Sequence, residues 1–283
     1  MIHPISATTC TQAWTQAITF LGGEKQRCAY NVILDIGNPI AFGPADRQIV
    51  QALDEMLTSH EAQPVVTVAG TLFPAGHYRQ RGRNGVMEDF PKRAYPKLKT
   101  NWGTYAGRML DRVDHHGKSL NPLEIIIEKL KYQTQRASPK RAIYEVSMVD
   151  IFADLPIYDP GHDARRVMNQ PCLAHLSFKL TPDRGLMLTA LYRNHYYIER
   201  ALGNLIGLSH LLFFVAKESG LTARSLVCHS TFARLDFDGG WTVNEVNRLI
   251  RTCQSLSNTN QLVQGRTDES VAADTATGGA CNE

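Results

Sequence analysis

Apolar residues recur at helical spacing over 45–58 (ADRQIVQALDEMLT), with Ile49, Leu53 and Leu57 on one face and Asp46 near the start. The β-branched run Val65 to Val68 reads as a strand. It leads into Ala69 to Thr100, a glycine- and proline-rich stretch whose pattern predicts a long loop. The aromatic residues Phe73, Tyr78, Phe90 and Tyr95 mark that loop as packed and functional. Asn121-Pro122 opens a helix from Pro122 to Gln133, with proline at an early helical position and Ile125, Ile126 and Leu130 as its apolar face. Ala142 to Val149 reads as a strand, followed by a polar loop with two prolines up to Gln170. His175 to Leu180 and Leu186 to Tyr192 are strands joined across TPDRG, a hairpin-like turn. Gly203 to Gly220 is a buried helix that ends on glycine as a C-cap would, and Leu226 to Phe237 is a further strand region.

Strands and helices alternate too irregularly for a doubly wound sheet, so the expected fold class is mixed α/β in one domain over 1–266. The alanine-, glycine- and threonine-rich stretch 267–283 reads as a disordered tail. No internal repeat is visible. A composition of 43% hydrophobic and 20% charged residues is that of an ordinary soluble protein. The net charge of +3 is spread among acids, which argues against a nucleic-acid partner and leaves room for a small anionic ligand held by a few arginines. The N-terminus lacks the basic start and apolar stretch of a secretory signal. The longest apolar run, Leu205 to Ala216, carries Ser209 and His210 and is too short to span a bilayer. The six cysteines are dispersed without metal-type spacing, so no metal is expected and reduced thiols in a cytoplasmic protein are the simplest account.

Cys172 sits in QPCLAHLSF, after a polar loop and just before a strand. A buried core thiol is the plain reading of such a residue; a nucleophile needs cationic neighbours to hold its thiolate. Four segments supply company for it. They are Pro171-Cys172 itself, YRNHYYIERALGN from Tyr192 to Asn204, PKRAIYEV from Pro139, and WGTYAGRM from Trp102. In order and spacing these resemble the thymidylate synthase and pyrimidine nucleotide hydroxymethylase superfamily, over roughly residues 100–237.

The resemblance implies a thymidylate synthase-like α/β fold, with a mixed sheet, a long buried central helix and a homodimer formed through the sheet. It implies Cys172 as the nucleophile, Arg193 with Asn194 at the nucleotide phosphate, and Asn204 on the pyrimidine edge. Lys140 and Arg141 would reach the partner subunit's phosphate site, and Tyr105 would lie near the reacting centre. His229 and Arg234 are the polar groups near where the sugar contact should fall. The implied ligands are a pyrimidine nucleotide monophosphate, with a dUMP-type substrate favoured by Asn204, and 5,10-methylenetetrahydrofolate as one-carbon donor.

The chemistry is coherent. A pyrimidine's C5 becomes nucleophilic once a soft thiolate adds at C6, and the charge then pushed onto O4 needs a fixed donor. Arg193 would serve both phosphate and thiolate, lowering the Cys172 pKa. The bland alternatives are surface arginines, a helix N-cap at Asn204 and core packing at Tyr105.

Several positions depart from the family pattern. Leu173 stands where a histidine follows the nucleophile, and Tyr196 where an aspartate holds the pterin. The general-base glutamate has no clear match in VTVAGTLFP, which leaves Glu88 in the long loop as the candidate. These departures leave open a nucleotide-binding protein of the same fold without one-carbon chemistry. A cysteine hydrolase built on Cys172 with His175 or His229 is a third reading.

Overall fold

The computed structural model describes residues 2–98, 103–113, 116–148 and 171–257. The polar loop before Gln170 and the tail 267–283 lie outside them.

The chain opens with a unit the periodicity did not signal. Strand β1 (His3–Ala7) and strand β2 (Cys28–Ile36) are parallel neighbours, joined through helix α1 (Cys10–Gly23). Thr9 starts α1: its hydroxyl accepts the Gln12 N–H while the Gln12 side chain bonds back to the cap, a reciprocal box that satisfies two orphan donors. Helix α2 (Pro44–Ser59) buries Ile49, Leu53 and Leu57, as the spacing predicts.

Val65 to Val68 is not a strand. It forms the first half of helix α3 (Val65–Leu72), opened by Pro64 and by the Asp54 carboxylate, which accepts the Val65 N–H at 2.7 Å. The local β preference yields to tertiary packing against helix α8 (Ala201–Glu218). A Cβ on Gly203 would lie 2.6 Å from Val68 Cβ, and one on Gly207 would lie 2.9 Å from the Ala69 carbonyl oxygen. Two glycines one turn apart therefore let α3 approach at backbone distance.

The stretch expected as a loop up to Thr100 is largely helical as far as it is described. It holds α4 (Ala75–Asn84), a π-helix (Gly85–Ala94) and the single turn α5 (Tyr95–Leu98). Its glycines and prolines act as breaks between short helices, as at Gly82, where φ is +58°. Phe73, Phe90 and Tyr95 are buried, so the expectation of a packed segment holds. Helix α6 (Tyr105–Leu110) follows, then the strand pair β3 (Arg112–Val113) and β4 (Ser119–Leu120). Helix α7 (Pro122–Thr134) comes next, with Asn121 accepting the Glu124 N–H at its start.

The sheet then completes itself. Strand β5 (Tyr144–Ser147) pairs with β6 (Leu173–Leu180), which forms the expected hairpin with β7 (Gly185–Tyr192). After the short β8 (His195–Tyr196) and α8, strand β9 (Thr222–Arg234) runs parallel to β7 and antiparallel to β2. The order is β1-β2-β9-β7-β6-β5, with β8 on β9, a mixed sheet in a mixed α/β fold. Helix 243–257 closes the described chain. Along β9, Leu226, Cys228 and Ser230 are buried while Val227, His229 and Thr231 are partly exposed, the alternation of a sheet with one covered face. No described helix is long and apolar enough to cross a membrane.

Candidate functional site

The β6–β7 pairing creates the site. Leu173 lies opposite Tyr192, so the residues just outside the ladder, Cys172 and Arg193, are forced together. The Arg193 N–H donates to the Cys172 carbonyl at 2.9 Å, and Arg193 Nε donates to the Pro171 carbonyl at 3.0 Å. From α6 the Tyr105 hydroxyl oxygen accepts the N–H groups of Cys172 (3.1 Å) and Leu173 (3.2 Å). Burial pushes the Tyr105 hydroxyl up to about 12, so it stays a neutral phenol holding the start of β6 in place.

Cys172 is half-buried. Burial raises its thiol above the ordinary value, and the guanidiniums of Arg193 and Arg200 pull the other way without overcoming it. Arg193 thus acts in the direction read from the sequence, yet in the unliganded protein desolvation of the thiolate is the larger effect.

Asn204 was expected where the long helix opens. The helix opens one turn earlier, capped at Arg200, and Asn204 lies in its second turn, buried. Its Nδ2 donates to His195 Nε2 at 3.1 Å, and His195 Nδ1 meets Ser230 Oγ at 2.9 Å. The capping alternative for Asn204 is therefore removed.

These groups border one cleft of ≈ 1650 Å³. One wall carries Cys172, Arg193, Asn194, Arg200 and Asn204; the other is α3 with His77 and Arg79 beyond it, and Tyr105 and Phe213 also face it. Among the described lining residues there are three arginines and no carboxylate, so the cleft is suited to anions. Its volume exceeds the roughly 300–1,000 Å³ of an ordinary small-molecule site. Asn194 Oδ1 is buried without a hydrogen-bond partner among the described residues, an acceptor available for a ligand. His210, also on the lining, is held neutral by burial and by Arg79.

Other residues singled out by the sequence lie elsewhere. His229 projects from the partly exposed face of the sheet, where its Nε2 meets Asn31 Oδ1 at 3.1 Å. Arg234 packs its guanidinium 4.5 Å from the Tyr196 ring centre and pairs with Asp238. Lys140 and Arg141 are exposed ahead of β5, with the Lys140 N–H on Gln133 and the Arg141 carbonyl accepting from Leu180. Glu88 is exposed in the π-helix and pairs with Lys92. None of these lines the cleft. Nor do His175, which pairs with Glu145 at 2.7 Å, and His229 meet Cys172 there, which removes both pairings considered for a hydrolase. Sequence reasoning missed Arg200, His195, Arg79 and His210; the first two lie within the Arg193-to-Asn204 segment, the only signal available for them. The described residues contain no cluster of three or more metal-ligating side chains.

No family model matches the chain, and no curated protein matches it. Among solved structures it is similar to the crystal structure of thymidylate synthase from T4 phage. That similarity is at 13% identity and a TM-score of 0.45, covering 80% of this chain and 76% of that one. So distant a likeness carries no function with it.

Proposed function

We propose that the protein binds a pyrimidine nucleotide monophosphate in the cleft and carries out C5 methylation or hydroxymethylation by addition of the Cys172 thiolate to C6. The observation that carries this reading is a half-buried thiol set among the guanidiniums of Arg193 and Arg200, on one wall with the buried amide of Asn204. Sulfur addition at C6 moves the C5–C6 electron pair towards O4, where an Asn204 N–H stabilises it. C5 would then attack the donor's methylene carbon. Loss of the C5 proton and departure of the carrier amine would leave an exocyclic methylene, to which hydride from the reduced folate (methylation) or water (hydroxymethylation) would add as the Cys172 thiolate leaves C6 and the ring is restored. The arginines serve the phosphate, with Asn194 beside them. The volume left over suits 5,10-methylenetetrahydrofolate as the donor. A homodimer, in which Lys140 and Arg141 complete the partner's phosphate site, accounts for two exposed cations that their own cleft does not use; a monomeric mass by light scattering would remove that part.

A specific observation favours a second reading, a nucleotide-binding protein that does not turn over. The described cleft lining offers no carboxylate to take the C5 proton. The two readings separate by tritium release from 5-tritiated dUMP, dCMP, UMP and CMP, with and without methylenetetrahydrofolate. Folate-dependent release that Cys172→Ala abolishes supports C5 chemistry. Binding without release from any of the four supports the second reading.

A further inference from the structure

The amide of Asn204 sets the tautomer of the buried histidine behind it. An amide nitrogen only donates, so with Asn204 Nδ2 on His195 Nε2 at 3.1 Å, that ring nitrogen accepts and the proton sits on Nδ1. Nδ1 then donates to Ser230 Oγ at 2.9 Å. The Tyr197 hydroxyl lies 3.1 Å from the same oxygen and shares a hydrogen bond with it. His195, Tyr197 and Ser230 are essentially without solvent exposure, so water does not substitute for any member. The His195 ring is stacked flat on Tyr192, with centroids 4.0 Å apart and planes 1° from parallel, which stops it rotating. Burial holds the ring neutral.

We propose that His195 is a positioning residue that locks the Asn204 carboxamide in one orientation and thereby sets which pyrimidine edge the cleft accepts. One N–H of Asn204 is committed to His195, leaving Oδ1 and the second N–H as an ordered acceptor–donor pair facing the cleft. A uracil presents O4 as acceptor and N3–H as donor, and a cytosine presents the reverse at the same two positions. An amide free to turn over reads both; an amide fixed by His195 reads one. The ligand class rests on the C5 reading above, whereas the lock itself does not.

The test uses the full chain with His195→Asn and His195→Gln. An asparagine side chain reaches Ser230 in place of Nδ1 but not Asn204, whereas a glutamine places an acceptor where Nε2 stood. Using tritium release, kcat/KM is measured for dUMP and dCMP. The wild-type ratio is expected to fall about tenfold or more in His195→Asn, the scale of one bidentate amide–base contact, and to survive in His195→Gln. An unchanged ratio in a His195→Asn protein of wild-type melting temperature overturns the proposal. Nitrogen-15 NMR provides a second reading in the wild type. Protonated Nδ1 and bare Nε2 are expected from pH 5 to 9, and an Nε2–H tautomer or a titrating ring also overturns it. If the wild type turns over no pyrimidine, the C5 reading fails separately. The same ratio is then taken from dissociation constants by thermal shift, with the same two outcomes.

Discussion

The Tyr105 hydroxyl oxygen accepts the N–H groups of two consecutive residues, Cys172 at 3.1 Å and Leu173 at 3.2 Å, so one phenol from α6 fixes the backbone that carries the Cys172 thiol. Those two donors stand at the entry to β6, where the ladder has not yet taken them up. Tyr105→Phe keeps the ring in its buried place and leaves both N–H groups without that acceptor. The expected cost is about 1–3 kcal/mol of stability by denaturant titration, the range for orphaned buried donors. Iodoacetamide labelling of Cys172 should change with it. Wild-type stability and labelling in Tyr105→Phe would show that β6 does not depend on this contact.

Cys172 itself has a pH signature. Because burial outweighs the two arginines, its thiol is raised and the thiolate is scarce at neutral pH. Labelling at Cys172 should be slow at pH 7 and climb about tenfold per pH unit up to and beyond pH 9. Arg193→Ala removes the larger of the two favourable charges and should move the whole profile to higher pH. Cys172→Ala gives the background from Cys28, the other partly exposed thiol among the described residues. A profile that levels off below pH 8 would mean the arginines win after all.

The α3–α8 contact can be tested at Gly203. A methyl group there would meet Val68 Cβ at 2.6 Å and the Val65 carbonyl oxygen at 2.9 Å, and backbone cannot step aside as a flexible side chain does. Gly203→Ala should cost about 1–3 kcal/mol, the range for overpacking, and lower the melting temperature by several degrees. Gly70→Ala, where an added Cβ meets nothing within 4 Å, is the control and should melt close to wild type. Because α3 forms one wall of the cleft, nucleotide affinity should fall in Gly203→Ala more than in the control.

That same contact explains what was legible in the sequence. Elements whose periodicity reports their own burial were readable: α2, the β6–β7 hairpin, the apolar body of α8, and α7 in its extent, although Ile125, read on its apolar face, is exposed while Leu123 and Ile127 are buried. Val65 to Val68 was not readable, because its conformation is decided by two glycines some 140 residues later, and a β-branched run carries no trace of them. The opening β1-α1-β2 unit went unread: CAYNVILDI buries Val32, Leu34 and Ile36 in alternation, but the period breaks at Asn31, whose φ is +56°. At the site, Cys172 and Arg193 were singled out by resemblance, and the β6–β7 hairpin, whose ends they flank, is what brings them together. His229 was placed near the nucleotide by resemblance, yet its neighbours Cys228 and Ser230 point inward, and a period of two puts His229 on the other face. Arg200 and His195 depend on how the segment between β7 and α8 turns, which no spacing rule encodes.

Asp236 holds that turning segment, and its ionisation provides the last test. Its carboxylate accepts the N–H groups of Ile198 at 2.9 Å and Glu199 at 3.1 Å, immediately before Arg200. Burial nevertheless raises its pKa from 3.8 to about 6, the hydrogen bonds only partly offsetting the desolvation. A raised acid binds its proton more tightly in the folded than in the unfolded chain. Its contribution is therefore most favourable below pH 4 and is lost as pH climbs to about 6, a decline of roughly 3 kcal/mol at most. Asp236→Asn cannot ionise and still offers one oxygen to the Ile198 N–H. Urea titrations across pH 4–7 should show that decline in the wild type and a flatter curve in the variant. Parallel curves would mean that Asp236 ionises no less readily than in the unfolded chain, and that its two backbone hydrogen bonds outweigh burial.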